Sequence, residues 1–287
     1  MQPIDLEFFG RNMKKIISFF LAVFAILSPL HSKIVEVQNF KEITSHLTPG
    51  TLVILDIDDT LLIPVQMLGC DEWFTHQYKK FINEGMSQKA ALKKSLREWE
   101  AIRYVTHMEL PEAKTDEIVR SMQDQGYVVM GLTTQTFTLC FITSHQLKEN
   151  NINLSLSGPC KTDYYFNQGE LGVLYRKGVL FTSGSPKGTA LFTLCEKLAY
   201  KPKRILFIND KASHLKDIEE IAEKNNVEFI GLRYAYSDAR KKAFRSDIAD
   251  FQFSHTNLHK RLMSDKEAEE MLKKQSSQVE VQKQPIK

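Results

Sequence analysis

Two aspartates directly after an apolar run are the residues of this sequence best placed to do chemistry. Leu52–Leu55 is a run of four aliphatic residues, which predicts a short strand buried on both faces, and Asp56 and Asp58 follow it at once. Carboxylates beside a buried strand repel one another and are costly to desolvate unless a cation or a phosphoryl group meets them. Ordinary turn chemistry is the alternative, since Asp and Thr are common turn residues, and these few residues leave both interpretations open.

Two more predicted strands end in polar residues that could join the same site. Tyr127–Leu132 runs into Thr133, and Ile205–Ile208 runs into an Asn-Asp pair that ends at Asp210. Lys187 stands at the predicted start of the helix between them. Because the carboxyl ends of parallel strands meet at one edge of a sheet, we expect these side chains to share a common point. Three such strand ends and a lysine are difficult to attribute to turns alone.

The elements that must position these residues alternate between strand and helix. Val227–Leu232 predicts a fourth buried strand, 155–184 has the short apolar pieces and Gly-containing turns of hairpins, and Val37–Leu47 has helical spacing. Strand–helix alternation implies a mostly parallel sheet with helices on both faces. We therefore predict an α/β fold, a Rossmann-like three-layer parallel sheet with a helical cap inserted after the first strand.

The predicted cap is residues 65–125, which have helical periodicity and no strand pattern. Aromatic stripes at this spacing are usually core. A cap over the site would exclude water and contact the substrate. Its candidate substrate contacts are His76, Arg97, Arg103 and His107, although each alone is more often a solvated surface residue.

The N-terminal segment has the layout of a signal peptide. Arg11–Lys15 is basic, and Ile16–Leu30 contains no charge but is shorter than the roughly 20 residues of a membrane span. We predict export to the periplasm or beyond, with cleavage after Ser32, and leave an uncleaved anchor open. Membrane contact is expected only through this segment.

The predicted division of the chain is a signal peptide at 1–32, an α/β core at 33–64 and 126–262, the cap at 65–125, and a charged helix with a disordered tail at 263–287.

Composition narrows the function classes. The formal net charge is only +3, and no stripe of Lys and Arg interleaved with aromatics occurs, so nucleic acid is not an expected partner. The four cysteines lack CxxC spacing, which favours neither a zinc site nor a redox motif. Cys140 and Cys195 are predicted buried thiols, whereas Cys70 and Cys160 could pair in an oxidising compartment. The sequence gives no oligomeric state.

Four motifs in order resemble those of the haloacid dehalogenase (HAD) superfamily of phosphotransferases. They are Asp56–Thr60, Leu132-Thr133, Lys187 and Asn209-Asp210. The signal-like start, Trp73-Phe74, Gly131–Thr134 and Ile208–Asp210 more loosely resemble a little-characterised branch of secreted HAD-like proteins from intracellular bacteria.

The resemblance implies a phosphatase, and the chemistry of each residue type fits that role. Asp56 would attack phosphorus and form an aspartyl-phosphate, while Asp58 would protonate the leaving oxygen and later activate water. Thr133 would donate to a phosphoryl oxygen and Lys187 would supply fixed positive charge. The expected substrate is a phosphorylated small molecule or a phosphoprotein, phosphotyrosine included.

The expected cofactor is Mg²⁺, an ion that prefers oxygen ligands. Its ligands would be Asp56, the Asp58 backbone carbonyl, Asp210 and a phosphate oxygen, with Asn209 offering a neutral oxygen where the superfamily usually has an acid. Thr134 is the alternative to Thr133. The Asn209 departure also motivates a second hypothesis, a catalytically weak or inactive HAD-like binding module. A kinase-like transferase is disfavoured, since no GxxxxGK[ST] loop is present.

Overall fold

The computed structural model describes residues 32–256 and 262–282. In this part of the chain an eight-stranded sheet has the order β1-β10-β9-β2-β5-β8-β7-β6. The strands from β1 to β8 in this order are parallel, and β7 runs antiparallel to both β8 and β6. The expected α/β fold, a Rossmann-like and mostly parallel sheet covered by helices, is confirmed.

The strands of the described residues are β1 (Ser32–Val37), β2 (Thr51–Leu55), β3 (Ile63–Pro64), β4 (Met108–Glu109), β5 (Val128–Thr133), β6 (Tyr164–Gln168), β7 (Leu171–Arg176), β8 (Val179–Phe181), β9 (Arg204–Asn209) and β10 (Glu228–Tyr234). The α-helices are α1 (Asp71–Asn83), α2 (Gln88–Val105), α3 (Thr115–Asp124), α4 (Cys140–Glu149), α5 (Lys187–Lys197), α6 (Ala212–Lys224), α7 (Asp238–Lys242), α8 (Ser246–Ser254) and α9 (Asp265–Gln282). Short 3₁₀ helices cover Phe40–His46, Phe137–Leu139 and Leu154–Leu156.

The burial of strand β2 on both faces of the sheet explains why its sequence is continuously apolar. Val53 and Leu55 belong to the buried cluster on one face of the sheet, and Leu52 and Ile54 belong to the cluster on the other face. All four side chains are fully buried. Each contributes about 1.5–3 kcal/mol relative to an exposed position, so both layers of helices fix this strand and the residues that follow it.

The first described strand was not predicted. Ser32–Val37 forms β1 and pairs with β10, and Phe40–His46 is a 3₁₀ helix instead of part of a helix over Val37–Leu47. The helical spacing nevertheless identified the inward-facing residues, since Phe40 and Ile43 are fully buried. A six-residue edge strand is defined by pairing across the sheet, which single-sequence periodicity does not record.

The predicted cap region contains elements with two different surroundings. Trp73 of α1 and Trp99 of α2 lie in a cluster away from the sheet. In contrast, Val119 and Met122 of α3 belong to the buried cluster that covers one face of the sheet. Helix α3 therefore packs on the core, although the 65–125 prediction placed it in the cap. The division of the chain into domains stays a prediction.

The C-terminal helix begins inside the structure rather than in solvent. Ala268 of α9 is fully buried and packs with Ile248 and Phe251 of α8. The Asp265 carboxylate accepts hydrogen bonds from the Met67 backbone N–H at 2.8 Å and from the Gln252 amide at 2.9 Å. The charged helix predicted for 263–287 is therefore partly buried at its start, where Asp265 braces the segment that leads into α1.

Several expectations concern the termini and the cysteines. The predicted signal segment lies outside the described residues except for Ser32, and so does the end of the predicted tail. No helix of the described residues is long and apolar enough to cross a membrane. All four cysteines are described and free; Cys140 and Cys195 are buried as predicted, and Cys70 is not bonded to Cys160.

Candidate active site

The centre of the site is a buried contact between Asp56 and Lys187. Nζ of Lys187 lies 2.5 Å from Oδ1 of Asp56, and the two side chains are 1% and 6% exposed respectively. The Asp56 backbone N–H donates to the Ile208 carbonyl, so the aspartate continues the β2–β9 pairing. Burial raises the pKa of Asp56 above its ordinary value, and the Lys187 charge opposes that shift. The lysine thus favours an ionised carboxylate in a place that water hardly reaches.

Helix α5 places Lys187 at its first position, after Pro186. The Gly188 N–H, one of the unpaired donors of the first turn, donates to Oδ2 of Asp217 at 2.9 Å. A Cβ at Gly188 would lie 2.5 Å from the Asp217 carbonyl oxygen, so only glycine lets α5 and α6 approach this closely. Asp217 of α6 thus caps the helix that carries the lysine.

Asp58 is contacted by two side chains that the four motifs did not identify. Nη2 of Arg103 lies 2.8 Å from its Oδ1, and the Gln135 amide donates to both carboxylate oxygens. Burial raises the pKa of Asp58, and the Arg103 charge acts in the opposite direction. Gln135 lies two residues after Thr133, so its position just after the end of β5 could have indicated a role in the site. Arg103 was predicted only as one of four candidate substrate contacts in the cap.

A tight turn after β2 sets the orientation of Asp56 and Asp58. The N–H groups of Leu61 and Leu62 both donate to the Ile57 carbonyl, and Asp59 has a φ of 59°. Asp tolerates this left-handed conformation better than most residues. The Ser237 hydroxyl donates to the Asp59 carbonyl at 2.6 Å, which fixes the turn to the start of α7.

Asp210 lies near Asp56 at the end of β9 and is 3% exposed. Burial raises the pKa of Asp210 to about 6, and the neighbouring charge of Asp56 adds to the effect. Its Oδ2 is in contact with the ammonium group of Lys241, which also lies 3.5 Å from Asp59. Lys241 is 31 residues further along the chain, on α7, and no spacing in the sequence indicated it.

Asn209 is used by the loop itself. Its side-chain oxygen accepts a hydrogen bond from the Lys211 backbone N–H at 2.7 Å, and its amide nitrogen lies 3.4 Å from Nδ1 of His214. The side chain is fully buried. We expected Asn209 to offer an oxygen to Mg²⁺, but the structure gives that oxygen to the backbone turn instead.

Thr133 lies beneath the surface of the site. It is 1% exposed, and its hydroxyl oxygen accepts from the Gln135 N–H at 3.1 Å. The next residue, Thr134, lines the cavity described below. The structure therefore brings the alternative, Thr134, to the accessible surface, while Thr133 shapes the loop behind it.

A cavity of about 660 Å³ opens above Asp56 and Asp58. Cap helices α1 and α2 supply apolar and charged walls, and the Thr134–Thr136 loop supplies another side. The apolar residues that line it are Phe74, Leu96, Trp99 and Phe244. Besides Asp56 and Asp58, the titratable residues that line it are Asp71, Glu72, His76, Lys79, Glu100, Lys211 and His214. Two of the four candidate substrate contacts predicted in the cap, Arg97 and His107, are exposed and do not line this cavity.

One ion pair joins the cap to the core within the cavity lining. Nζ of Lys211 lies 2.5 Å from Oδ2 of Asp71, and the two side chains are partly exposed. Burial acts to raise the pKa of Asp71, but the Lys211 charge and hydrogen bond bring it below its ordinary value. Lys211 also acts electrostatically on Asp56, so it belongs to the same charged centre.

The fit of a metal ion can be judged from the donor atoms. Residues 32–256 and 262–282 contain no cluster of three or more His, Cys, Asp or Glu side chains arranged for a metal ion. However, Oδ1 of Asp210 is buried and has no hydrogen-bond partner among the described residues. Mg²⁺ commonly binds through one or two carboxylates together with waters and substrate phosphates. The carboxylates of Asp56 and Asp210 fit that demand.

Fold and site together define a mixed α/β protein with a buried acidic centre at the carboxyl edge of its parallel sheet, beneath two cap helices. The chain belongs to the family described as "Protein of unknown function (DUF2608)", whose model matches residues 36–269.

Its relatives include three chlamydial proteins, each named "Putative outer membrane protein" and each 24% identical to this chain. The Chlamydia pneumoniae protein matches over 241 residues (79% of this chain and 86% of the relative). The Chlamydia muridarum protein matches over 244 residues (84% and 92%), and the Chlamydia trachomatis serovar D protein over 238 (80% and 89%).

Among solved structures, the chain is similar to one titled "Phospho-Aspartyl Intermediate Analogue of Phosphoserine phosphatase". The identity is 13% and the TM-score 0.31, with 68% of this chain and 99% of that chain covered.

Proposed function

We propose that the protein is an exported, Mg²⁺-dependent phosphomonoesterase of the HAD type that forms an aspartyl-phosphate on Asp56. The observation that carries this proposal is the 2.5 Å contact of Lys187 with Asp56 beneath a cavity that Asp58 also lines. A buried carboxylate whose ionised form is favoured by a neighbouring lysine is a suitable nucleophile. The ordered motifs that resemble the HAD superfamily support the same conclusion.

In the first step an Asp56 carboxylate oxygen attacks phosphorus, and the bond from phosphorus to the leaving oxygen breaks. Asp58 gives its proton to that oxygen, so the leaving group departs as an alcohol. Burial raises the pKa of Asp58, which favours the protonated acid that this step needs. Lys187 balances negative charge beside the attacking oxygen.

In the second step the Asp58 carboxylate takes a proton from a water molecule that attacks the phosphorus of the aspartyl-phosphate. The bond from phosphorus to the Asp56 oxygen breaks, inorganic phosphate leaves, and both aspartates return to their starting forms. Mg²⁺ bound by Asp56 and Asp210 would neutralise charge on the phosphate oxygens.

The cavity walls favour a substrate with an apolar or aromatic leaving group. Phe74, Trp99 and Phe244 line the space above the aspartates. Aromatic side chains pack favourably on other rings, which suits aryl phosphates and phosphotyrosine. Failure on a panel of phosphotyrosine peptides, together with activity on small alkyl phosphates, would exclude phosphotyrosine as the substrate.

Export is supported by two observations. The basic and then apolar start of the sequence has the signal-peptide layout, and the printed names of the three chlamydial relatives refer to the outer membrane. Fractionation of cells that express the full chain, with mass measurement of the mature N-terminus, tests this. A full-length chain in the cytoplasm would refute export.

The enzymatic proposal is tested by hydrolysis of an aryl phosphate with and without Mg²⁺. Asp56→Asn should abolish turnover, because the amide is a poor nucleophile. Asp124→Asn, a change of an exposed carboxylate on α3, is the matched control and should keep wild-type activity. Activity that survives in Asp56→Asn would refute the covalent mechanism.

The second candidate is a HAD-like module that binds without turnover. Asn209 is occupied by its own loop and Lys241 already contacts Asp210, so the metal site has less free negative charge than the motif promises. Thermal unfolding with Mg²⁺ and BeF₃⁻, a phosphate mimic, separates the candidates. An Mg²⁺-dependent rise in the unfolding temperature favours the enzyme, and no rise favours the module.

A further inference from the structure

The Asp58 carboxylate is held by an ion pair and hydrogen bonds from two different parts of the fold. Arg103, from the last turn of cap helix α2, lies with Nη2 2.8 Å from Oδ1. Gln135, from the loop after β5, donates its amide to Oδ1 at 3.1 Å and to Oδ2 at 2.9 Å. The Asp58 side chain remains 19% exposed, so these contacts leave part of the carboxylate accessible to solvent.

Arg103 is itself firmly placed. Its guanidinium lies 5.1 Å from the Trp99 ring centroid, and Nη1 donates to the Met108 sulfur at 3.2 Å. The Arg103 backbone carbonyl accepts from the Gln146 amide of α4 at 3.1 Å. The side chain is 2% exposed, and a buried guanidinium without an opposing carboxylate is costly. Arg103 and Asp58 therefore keep their relative positions as a pair.

Gln135 is oriented by a second bond. Its Oε1 accepts from the Thr143 hydroxyl of α4 at 2.6 Å. Since that bond takes the amide oxygen, the amide nitrogen must face Asp58. Gln135 is 4% exposed, so water does not compete for this arrangement.

The contacts are unequal between the two oxygens of Asp58. Oδ1 has the Arg103 guanidinium as an ion-pair partner, without a hydrogen bond from Nη2, and accepts from Gln135, whereas Oδ2 accepts only from Gln135 among the described residues. A carboxylate has about four lone-pair positions, two on each oxygen, so Oδ2 has more of its lone-pair capacity free than Oδ1. Asp58 lines the cavity, and Oδ2 is its oxygen with fewer partners.

We propose that Arg103 and Gln135 are positioning residues that aim Oδ2 of Asp58 at the leaving oxygen of a bound phosphomonoester. This inference rests on the phosphatase proposed above and assigns a role to two residues outside the four motifs. It also makes the cap a participant in leaving-group departure, because Arg103 belongs to α2.

The test compares leaving groups. A p-nitrophenyl phosphate needs little help from an acid, whereas a simple alkyl phosphate depends on protonation of its leaving oxygen. General acid catalysis contributes about 100- to 10,000-fold, so partial misplacement of Asp58 in Arg103→Met or Gln135→Leu should lower kcat/KM for the alkyl ester about 10- to 100-fold. The same variants should keep kcat/KM for the nitrophenyl ester within about threefold, because kcat/KM reports only the steps through departure of the leaving group and not the hydrolysis of the aspartyl-phosphate that both esters share.

Arg97→Met is the matched control, since Arg97 is an exposed arginine on the same helix, and it should leave both kcat/KM values unchanged. Arg103→Lys keeps the charge and should recover part of the alkyl activity. Gln135→Leu replaces an uncharged side chain with one of similar size, so it serves if Arg103→Met does not fold.

Three results would overturn the inference. Equal losses of kcat/KM on both esters would show a merely structural role, and wild-type kcat/KM on both esters in both folded variants would show that neither residue orients Asp58. In each of these cases wild-type turnover would leave the phosphatase proposal standing. Wild-type protein that hydrolyses neither ester would instead refute the phosphatase and this inference together.

Discussion

Asp71 of the cap and Lys211 of the core meet 2.5 Å apart within the cavity lining, so this lysine of the lining is already paired. A phosphate that uses Lys211 must compete with the Asp71 carboxylate. The pair is partly exposed, and partly exposed pairs are weak, which makes such an exchange feasible.

Asp71→Asn should therefore lower the KM for a phosphate ester about two- to fivefold, because Lys211 becomes free to meet the phosphate. Lys211→Met should raise KM by at least as much. Steady-state kinetics at low ionic strength measure both effects, with the exposed Lys89→Met as control. If the two substitutions shifted KM in the same direction, the proposed competition would be wrong.

Lys187→Met should reduce the free energy of unfolding by about 3–5 kcal/mol near neutral pH, because it leaves the Asp56 carboxylate buried without its cation. The loss should shrink at lower pH, where Asp56 can become protonated. Urea unfolding at two pH values measures this. Lys216→Met, an exposed change on α6, should alter stability by no more than about 0.5 kcal/mol.

His214 gives a pH dependence of stability with a definite sign. Burial lowers the pKa of His214 to about 3, and the positive charge of Lys187 adds to this. An unfolded histidine titrates near pH 6.5. Between these values the unfolded chain binds a proton that the folded chain refuses, so stability is lost as the pH falls from about 6.5 toward 3.

His214→Gln should remove this contribution and flatten the stability profile in that window by up to about 1.4 kcal/mol per pH unit. Urea unfolding across pH 4–7 measures the slope. His145→Gln, at a side chain that is 65% exposed, should leave the slope unchanged. An identical slope in wild-type and His214→Gln protein would contradict the proposed burial effect.

The metal proposal predicts opposite effects at Asp210 and Lys241. Asp210→Asn should weaken Mg²⁺ binding about tenfold or more, because it removes one of two carboxylate ligands. Lys241→Met should strengthen binding, since it releases the Asp210 oxygen that the lysine contacts. Calorimetry with Mg²⁺ and BeF₃⁻ gives both affinities, and Asp124→Asn is the control. Weaker binding in Lys241→Met would contradict the expected competition between lysine and metal.

The parts of the site that follow buried strands were predictable from the sequence. The apolar runs that form β2, β5 and β9 locate Asp56, Thr133 and Asp210 directly, because a strand buried on both faces must be continuously apolar. A helix start after Pro186 located Lys187 in the same way.

The residues that complete the charged centre were not predictable, because tertiary contacts bring them there. Arg103 reaches Asp58 from 45 positions along the chain, as the salt bridge between these residues shows. Lys241 belongs to a five-residue helix with no buried face that a period could reveal. Asn209 was expected to contact a metal, but a bond to its own loop is local chemistry that residue type alone does not distinguish.

Strand β1 has a consequence for the order of maturation. Ser32, the residue after which cleavage of the N-terminal segment is expected, is opposite Phe229 in the pairing of β1 with β10. A peptidase needs its substrate extended and unpaired in its own cleft. If cleavage occurs after Ser32 as predicted, trimming would have to precede the pairing of this edge strand with β10, and the eight-stranded arrangement of the described residues would be completed only in the trimmed chain.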